Sequence, residues 1–436
     1  ICIIGAGIVG LAGGIFLRQH GFQVTIHEKD ATLETVGAGI QLHPNALRVL
    51  QDLGVAASVR AHAVPASAIV VRNYATGTPL HTQDLQEVQR VYGGPVLTVH
   101  RAHLRQVLYA RALALGVAFV FGSKLSAKPK QDSAAGGLGG SPTSTLDPGL
   151  DGGRIVKSLG ADLVIGADGA NSAVRQLLTG REAELVPHGK LVYRIVVAQE
   201  AMKRHDKQHA LRHLVEKANI VVWLGPESQA VAYRMAGMFN IALTRPGSLD
   251  PAQAFSKPQM VDVQSLVAEL AAEGWHAHVL ELVSLAQSCM RWMLFEPLAN
   301  EEQTPWTRAA TGGSRLCLVG DAAHQTLPYL AQGAAMGLES MAVLAKLLAQ
   351  AQNGGQVDDC LAIYERLRKE RAFAINRAGL KNGAIWQLPN GPLQEERDRI
   401  LVSEQPTAGF PNLLADPFFQ PWLWGFDAAR QADEAW

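Results

Sequence analysis

The sequence predicts an α/β fold in which a parallel-sheet domain is interleaved with a β-rich domain and followed by a C-terminal helical segment. Three observations predict it. Residues 1–28 read as a buried strand, a glycine-rich turn, a helix and a second strand. Strand-like patterns dominate residues 190–235, and an apolar strand followed by a long helix returns at residues 314–348. This order indicates two domains assembled from interleaved segments of one chain.

Composition places the chain among ordinary globular proteins. Its 436 residues carry 39 Lys+Arg and 39 Asp+Glu, so the formal net charge is zero, and 48% of the residues are hydrophobic. A chain of this length can bury a sizeable core, and the balanced charge argues against a polybasic nucleic-acid binder. No run of about 18 apolar residues is free of charges, so we expect no membrane span.

The cysteines form no metal or disulfide motif. The four are Cys2, Cys289, Cys317 and Cys360, and none stands in a C-x-x-C pair. A chain of this length does not need disulfide staples, and the spacing does not match a zinc site. We therefore expect no metal, a reducing compartment and a cytoplasmic location.

The opening turn predicts a dinucleotide site. It has the pattern G-x-G-x-x-G between a strand and a helix, and Glu28 ends the next strand. In this pattern Gly5 permits the tight turn, Gly7 lets a pyrophosphate approach the backbone, and Gly10 allows close helix packing. The helix N-terminus attracts phosphate, and Glu28 can accept hydrogen bonds from a ribose diol. The alternative is a glycine-rich turn without a ligand.

The remaining elements follow in order. They are a helix at 100–113, a strand at 117–121, a Gly/Ser/Pro-rich segment at 127–153, a buried strand at 161–166, a helix at 260–285, a strand at 314–319, a helix at 333–348, a charged amphipathic helix at 358–380 and an aromatic-rich C-terminal cap. The composition of residues 127–153 cannot bury a core, so we expect a flexible surface insertion there.

Two further glycine-rich motifs decide which dinucleotide binds. Asp168-Gly169 follows one buried strand, with Ser172 and Arg175 just behind, and Gly320-Asp321 follows another. Together with the opening turn and other motifs, they resemble the FAD-dependent aromatic hydroxylases of the single-component class, such as salicylate hydroxylase. The resemblance spans nearly the whole chain. The other motifs that carry it are Gly37 to Ile40, Pro44-Asn45-Ala46, His100 to Leu104, Trp306 and Gln332 to Gly337.

The resemblance implies the domain plan. It predicts a Rossmann-like FAD-binding domain interleaved with a β-sheet substrate domain, plus a C-terminal helical segment. We assign the FAD-binding domain to residues 1–180 (with 127–153 as the insertion) and 296–350. The β-rich substrate domain then covers residues 181–295, and a helical cap covers residues 351–436.

The resemblance also implies cofactor roles. Asp321 would bind the ribityl chain, and Arg101 would contact the phosphate–ribityl region. The turn at Asp168 would lie near the pyrophosphate and has been linked to NAD(P)H use. Gly39 would lie near the isoalloxazine, and Gly333 with Ala334 would face the flavin O2 edge, where a helix N-terminus stabilises negative charge.

Simpler interpretations of these residues stay open. Asp168 and Asp321 could each cap the helix that follows, since aspartate is a good N-cap. Arg101 and Arg105 could be surface charges on a helix, and we favour this interpretation for Arg105. For His324 we favour a structural role over a chemical one.

The reaction implied by the resemblance sets a demand on the substrate site. NAD(P)H reduces FAD, O2 adds at C4a, and the flavin hydroperoxide transfers oxygen to an electron-rich ring. A phenol has a pKa near 10, so selective stabilisation of the phenolate at neutral pH requires about 4 kcal/mol. A buried arginine is a plausible source, because it stays charged and presents a rigid fork of donors.

Arg194 and Tyr233 are the catalytic candidates. Arg194 would bind a phenolate or carboxylate, and Tyr233 would donate a hydrogen bond or relay a proton. Alternation along the strand places Tyr193 and Arg194 on opposite faces, so only one of them can face the pocket. The alternatives are a surface arginine and a tyrosine at the edge of the core. Tyr233-Arg234 departs from the family's usual Tyr-Pro.

The expected partners are a small aromatic substrate, O2 and NAD(P)H, with no nucleic acid, and the sequence leaves a homodimer open. A flavin-dependent halogenase is disfavoured because its W-x-W-x-I-P motif is absent. A plain dehydrogenase does not explain residues 320–337. The alternative function is a non-catalytic or redox-sensing FAD-binding protein.

Overall fold

A computed structural model of the chain describes its residues except 34–37, 126–158, 182–185, 206–210, 212–213, 215–216, 250–257, 297–301, 310–314, 352–353 and 404. The predicted insertion at 127–153 and Gly37 therefore lie outside the described residues. No helix of the described part is long and apolar enough to cross a membrane.

A six-stranded sheet carries the opening βαβ unit. Its strands in chain order are β1 (Cys2–Ile4), β2 (Thr25–His27), β8 (Ala118–Val120), β9 (Leu163–Gly166), β16 (Thr307–Ala309) and β17 (Arg315–Leu318). The spatial order is β16-β17-β9-β1-β2-β8, and all neighbours are parallel except β16 and β17. The strands that precede the three glycine motifs are thus neighbours, which brings their carboxyl ends to one edge of the sheet.

An eight-stranded sheet forms the second layer. Its strands are β5 (Ala68–Asn73), β6 (Pro79–Asp84), β10 (Val186–Ala198), β11 (Ile220–Gly225), β12 (Ser228–Met235), β13 (Met238–Pro246), β14 (Gln259–Val261) and β15 (Ser288–Glu296). The order is β14-β15-β10-β13-β12-β11-β5-β6, antiparallel except for β11 with β5. The sequence prediction placed residues 1–180 in one domain, whereas β5 and β6 extend this second sheet.

A small antiparallel sheet joins the two layers. It contains β3 (Gly39–Leu42), β4 (Ala63–Pro65) and β7 (Leu97–His100) in the order β3-β7-β4. The sequence analysis missed all three strands, because each is only three or four residues long and lacks a clear alternating pattern.

Helices cover the sheets and the C-terminal third. They are α1 (Ile8–Gln19), α2 (Pro44–Asp52), α3 (Ala56–Ala61), α4 (Leu85–Tyr92), α5 (Arg101–Ala114), α6 (Ala173–Thr179), α7 (Gln199–His205), α8 (Val263–Ala272), α9 (Ala277–Ser284), α10 (Asp321–His324), α11 (Gly333–Gln350), α12 (Gly354–Trp386), α13 (Pro392–Ser403), α14 (Phe419–Trp424) and α15 (Ala428–Ala435). A single 3₁₀ turn, Pro328–Leu330, precedes α11.

The segment 260–285, predicted to be helical, is mostly helical but is not one continuous helix. The segment begins as strand β14, and α8 starts only after Asp262, whose Oδ2 accepts a hydrogen bond from Ser265 N at 2.7 Å. Gly274 has φ +78° after the last residues of α8, and α9 begins at Ala277. An aspartate N-cap and a left-handed glycine therefore divide the apolar pattern into a strand and two helices.

Two hydrophobic cores lie on opposite faces of the eight-stranded sheet. Strand β10 shows the alternation: Tyr193 and Ile195 pack into one core with Trp223, whereas Val196 packs against the core of the six-stranded sheet. Arg194 lies on the same face as Val196, toward the cofactor domain. The prediction that Tyr193 and Arg194 face opposite sides is confirmed.

Candidate active site

The opening turn combines tight packing with one open position. Gly5 has φ +104°, and a Cβ built there would lie 2.5 Å from the Ala167 carbonyl oxygen. A Cβ at Gly10 would clash with the Gly5 carbonyl oxygen, whereas nothing lies within 4 Å of a Cβ at Gly7. Gly5 and Gly10 therefore serve the packing of the turn, and Gly7 leaves the N-terminus of α1 open to a ligand.

Glu28 closes the same turn from the end of β2. Its Oε2 accepts hydrogen bonds from Ala6 N at 2.8 Å and from Arg105 Nη2 at 3.2 Å, and its Oε1 accepts one from Asp30 N at 3.2 Å. Arg105 Nε also donates to the Ala6 carbonyl oxygen at 2.8 Å.

Our interpretation of Arg105 as a surface charge is wrong, because its guanidinium braces the glycine turn. One feature of the sequence indicates that Arg105 belongs to the site. Arg105 lies four residues after Arg101 on α5, so the two share a helix face.

Asp321 lies deep in the fold and yet stays accessible. It is the first residue of α10, and its side chain is exposed although two guanidinium groups lie close enough to affect its charge. Burial raises the pKa of its carboxyl group above the ordinary value, and the guanidinium groups of Arg101 and Arg175 oppose that rise. The exposed carboxylate is therefore free to contact a ligand.

Asp168 makes the capping contacts that the sequence left open. Its Oδ1 accepts from Ser172 Oγ at 2.5 Å, and its Oδ2 accepts from Ala173 N at 2.7 Å and Val174 N at 3.2 Å. Both oxygens thus bind the N-terminus of α6. Its role beside a pyrophosphate stays a prediction.

Gly39 is where the substrate sheet meets the cofactor side. A Cβ at Gly39 would lie 2.5 Å from Tyr233 Cε2. Arg194 Nη1 donates to the Gly39 carbonyl oxygen at 3.4 Å, and Gly39 N donates to Asn240 Oδ1 at 3.0 Å. The structure therefore brings together Gly39, Arg194 and Tyr233, three residues that the sequence proposed separately.

Arg194 is a half-buried cation that has no acidic partner among the described residues. Burial lowers its pKa, the neighbouring Tyr233 phenol raises it, and the positive charge of Arg101 lowers it again. Its guanidinium lies 5.9 Å from the ring centroid of Trp292. Among the described residues, no carboxylate forms an ion pair with Arg194. A positive charge in this setting is suited to binding an anion.

Tyr233 stays protonated at neutral pH. Burial raises the pKa of its phenol well above the ordinary value, and the positive charge of Arg194 opposes the rise only in part. Tyr233 is therefore suited to donate a hydrogen bond and not to act as a base.

The N-terminus of α11 completes the site. Gly333 and Ala334 are half-buried in its first turn, and Ala331, just before it, has φ +52°. His324 points elsewhere: its Nε2 lies 2.9 Å from Ser340 Oγ, and burial, aided by Arg368, lowers its pKa to about 3. This arrangement supports the structural role that we favoured for His324.

Sequence reasoning missed Asn240 and Trp292, which share the sheet face of Arg194. Asn240 is fully buried, and its Nδ2 has no hydrogen-bond partner within the described part of the chain. The pairing of Asn240 with Val196 and Tyr233 across two strand ladders places it there, and a single sequence gives no register between distant strands.

Comparisons with known proteins agree with this geometry. A family model described as FAD binding domain matches residues 1–378. FAD-dependent monooxygenase OpS4 of Beauveria bassiana (strain ARSEF 2860) is 31% identical over 100% of this chain and 96% of its own length. The 3-amino-4-hydroxybenzoate 2-monooxygenase PtnB3 of Streptomyces platensis is 33% identical over 98% of this chain and 96% of its own length.

Solved structures share the fold. A salicylate hydroxylase substrate complex has a TM-score of 0.74 at 19% identity and covers 100% of this chain and 97% of its own. CtdE in complex with FAD and its substrate has a TM-score of 0.76 at 20% identity and covers 99% and 96%. The chain belongs to the FAD-binding flavoprotein monooxygenases that hydroxylate aromatic compounds, and FAD is its cofactor.

Proposed function

We propose that the chain hydroxylates an anionic phenol or a related electron-rich aromatic ring, with NAD(P)H as reductant and O2 as the oxygen source. The observation that carries this proposal is Arg194, a half-buried guanidinium beside Gly39 and Tyr233 with no acidic partner among the described residues. The family membership supplies the reaction class, and Arg194 supplies the preference for an anion.

The residues present fit FAD. Gly7 leaves the N-terminus of α1 open for a pyrophosphate, and Glu28 lies at the end of β2 for a ribose. Asp321 and Arg101 would hold the ribityl chain and its phosphate. Gly333 with Ala334 would face the pyrimidine edge of the flavin ring. Bound flavin accepts reducing equivalents from NAD(P)H and activates O2.

Arg194 would bind the substrate oxygen that must carry negative charge. Lowering a phenol pKa from about 10 to neutrality requires roughly 4 kcal/mol of selective stabilisation. A charge-assisted hydrogen bond contributes about 1.5–3 kcal/mol, so the guanidinium alone provides much of that stabilisation and Tyr233 OH can add to it. Asn240 Nδ2, a buried donor with no hydrogen-bond partner in the described part of the chain, is a third group suited to a substrate oxygen.

The names of the relatives narrow the proposed substrate class. PtnB3 is named for 3-amino-4-hydroxybenzoate, and a relative from Klebsiella oxytoca, 30% identical over 88% of this chain, is named a 3-hydroxybenzoate 6-hydroxylase. Both names describe a benzoate that carries a ring hydroxyl. Such an anion supplies the negative charge that Arg194 lacks, so we propose hydroxybenzoates as the first substrate class to test.

Anaerobic reduction of the bound flavin tests the proposal. Purified holoprotein is mixed with NADH or NADPH and a panel of phenols, salicylates, resorcinols and hydroxybenzoates, and the flavin absorbance is followed. We expect one anionic class to accelerate bleaching at least tenfold. If no aromatic compound accelerates bleaching, the proposal fails and a flavin-binding protein without hydroxylase activity is favoured.

A matched pair of variants assigns the effect to the site. Arg194→Gln should lose the acceleration while it retains FAD. Arg245→Gln is the control, because Arg245 lies on the other face of the sheet and pairs with Glu269 at 2.7 Å. Equal losses in both variants would show that the effect arises from damage to the sheet and not from the substrate site.

A further inference from the structure

A buried carboxylate links the C-terminal segment to the flavin side of the molecule. Glu339 lies two turns into α11 and is completely buried. Arg371 of α12 binds it through two hydrogen bonds, Nε to Oε2 at 2.8 Å and Nη2 to Oε1 at 3.0 Å. Arg368 Nη2 donates to Oε2 at 2.8 Å. The two arginines keep the Glu339 pKa low, at about 2, so the carboxylate is charged at working pH.

The same carboxylate reaches the backbone that would flank the flavin. Asn45 Nδ2 donates to Glu339 Oε1 at 2.7 Å and to Gln332 Oε1 at 3.0 Å. Gln332 immediately precedes Gly333, and its Nε2 lies 3.1 Å from Nδ1 of His43. Because His43 and Asn45 follow directly after β3, this chain of contacts ties the β3–α2 corner to the first turn of α11.

The contacts around Glu339 form one network, and Arg371 connects it to the C-terminal aromatic residues. Arg371 donates to the carbonyl oxygens of Trp422 at 3.3 Å and Leu423 at 3.1 Å. Its guanidinium also lies 3.6 Å from the ring centroid of Phe426 and 4.7 Å from that of Trp422. Residues 422–426 therefore close one side of the network and orient the fork of Arg371 toward Glu339.

The stacking of His43 provides a second, direct link. The His43 ring lies 5.1 Å from the Trp424 ring at an angle of 16°. The C-terminal segment thus contacts the β3–α2 corner through Trp424 and the first turn of α11 through Arg371 and Glu339. These contacts reach β3 and the first turn of α11, the two backbone elements to which the family resemblance assigns the flavin ring.

We propose that residues 422–426 are a positioning element for the flavin site, acting through Arg371, Glu339 and Asn45. The element holds Gly39 and Gly333, one on each side of the proposed ring site, at a fixed separation. When the element is weakened, the first turn of α11 should open more often and the flavin should bind in a less uniform environment. The proposal depends on the place assigned to the flavin ring.

Hydrogen exchange in the holoenzyme tests the proposal without reference to a substrate. Trp422→Leu removes a partly exposed ring from Arg371 and should fold, since Trp422 is 42% exposed. We expect exchange of the amides in residues 333–338 to rise at least threefold and the flavin midpoint potential to shift. The matched control is Arg430→Ala in α15, whose pairing partner Glu434 is exposed and 3.5 Å away.

A double-mutant cycle tests whether one network carries the effect. Asn45→Leu cuts the last link, so its effect on exchange in residues 333–338 should equal that of Trp422→Leu, and the double variant should show no further rise. Additive effects would overturn the proposal, as would unchanged exchange in Trp422→Leu. A rise that extends to the core strand β1 would also overturn it, because it would show global destabilisation. None of these outcomes depends on whether a phenol accelerates flavin reduction.

Discussion

Arg194 and Gly39 belong to different sheets, yet the Arg194 guanidinium donates to the Gly39 carbonyl oxygen at 3.4 Å. This contact places Arg194 at the strand that family resemblance assigns to the flavin ring. Tyr233 packs against the same glycine. Arg194 and Tyr233 therefore meet at the same glycine, and a substrate anion bound to Arg194, as we propose, would lie beside it.

Asp321 should be required for flavin retention and not for folding. Asp321→Ala removes an exposed carboxylate at the start of α10, so FAD affinity should fall at least tenfold while the apoprotein keeps its secondary structure. Flavin content after gel filtration and far-UV circular dichroism measure the two effects. Asp162→Ala, at an exposed position before β9, is the control. Full flavin occupancy in Asp321→Ala would remove Asp321 from the cofactor site.

Alanine at Gly39 and alanine at Gly7 should affect different properties, the first the stability of the apoprotein and the second its affinity for FAD. Gly39→Ala places a methyl group 2.5 Å from the Tyr233 ring, so the apoprotein should lose about 1–3 kcal/mol of unfolding free energy. Gly7→Ala meets nothing within 4 Å, so the apoprotein should change by less than about 1 kcal/mol while FAD affinity falls. Urea denaturation of both apoproteins, with flavin titrations, gives the comparison. A Gly39→Ala protein as stable as wild type would contradict the contact.

Ala331 holds a backbone conformation that costs alanine free energy. Its φ of +52° lies in the left-handed region, immediately before the first turn of α11. Ala331→Gly should therefore raise the unfolding free energy by about 0.5–1 kcal/mol, because relief of strain exceeds the added freedom of the unfolded chain. Ala110→Gly, on the exposed face of α5, should lower it by about 1 kcal/mol. A destabilised Ala331→Gly protein would contradict the strained geometry.

Buried neutral histidines should make the fold sensitive to acid. Burial lowers the pKa of His43 to about 3, below the ordinary value of 6.5. Protonation therefore favours the unfolded chain, and the contribution of His43 to stability is lost as the pH falls from about 6.5 toward 3. Between pH 7 and pH 5 we expect the protonation of this residue to lower the unfolding free energy by up to about 1 kcal/mol for each pH unit.

The His43→Gln variant isolates this effect. Its unfolding free energy should fall less between pH 7 and pH 5 than that of the wild type, whereas exposed His62→Gln should behave like the wild type. Identical slopes in all three proteins would assign the acid sensitivity to other groups. His324 is the next candidate, since burial also lowers its pKa to about 3.

Local motifs predicted the cofactor side well. The glycine turn, the strand before Gly320-Asp321 and the helix that begins at Gly333 are each coded by a few consecutive residues, so one sequence is enough to place them. That Tyr193 and Arg194 lie on opposite faces followed from strand alternation in the same way, but alternation did not tell which of them faces the site. The resemblance added the order of these motifs along the chain.

Contacts between segments that are distant in the chain could not be predicted from the sequence. Asn240 lies beside Gly39 only because β10, β12 and β13 pair in one register, and the Glu339 network joins residues almost 400 positions apart. Arg105 was misread for a related reason: its partner Glu28 lies 77 residues earlier. Register and long-range pairing depend on the whole fold, so periodicity in one sequence does not reveal them.

The decisive measurement is the yield of product per NAD(P)H consumed, with the aromatic compound that accelerates flavin reduction. It compares wild type, Arg194→Gln and Arg245→Gln, and it tests whether Arg194 binds the substrate anion. Loss of the Arg194 charge should lower kcat/KM about 100-fold and uncouple NAD(P)H oxidation from hydroxylation, with FAD retained. Arg245→Gln should match the wild type. Unchanged product yield in Arg194→Gln would contradict the account, because the guanidinium would then have no part in binding the substrate anion.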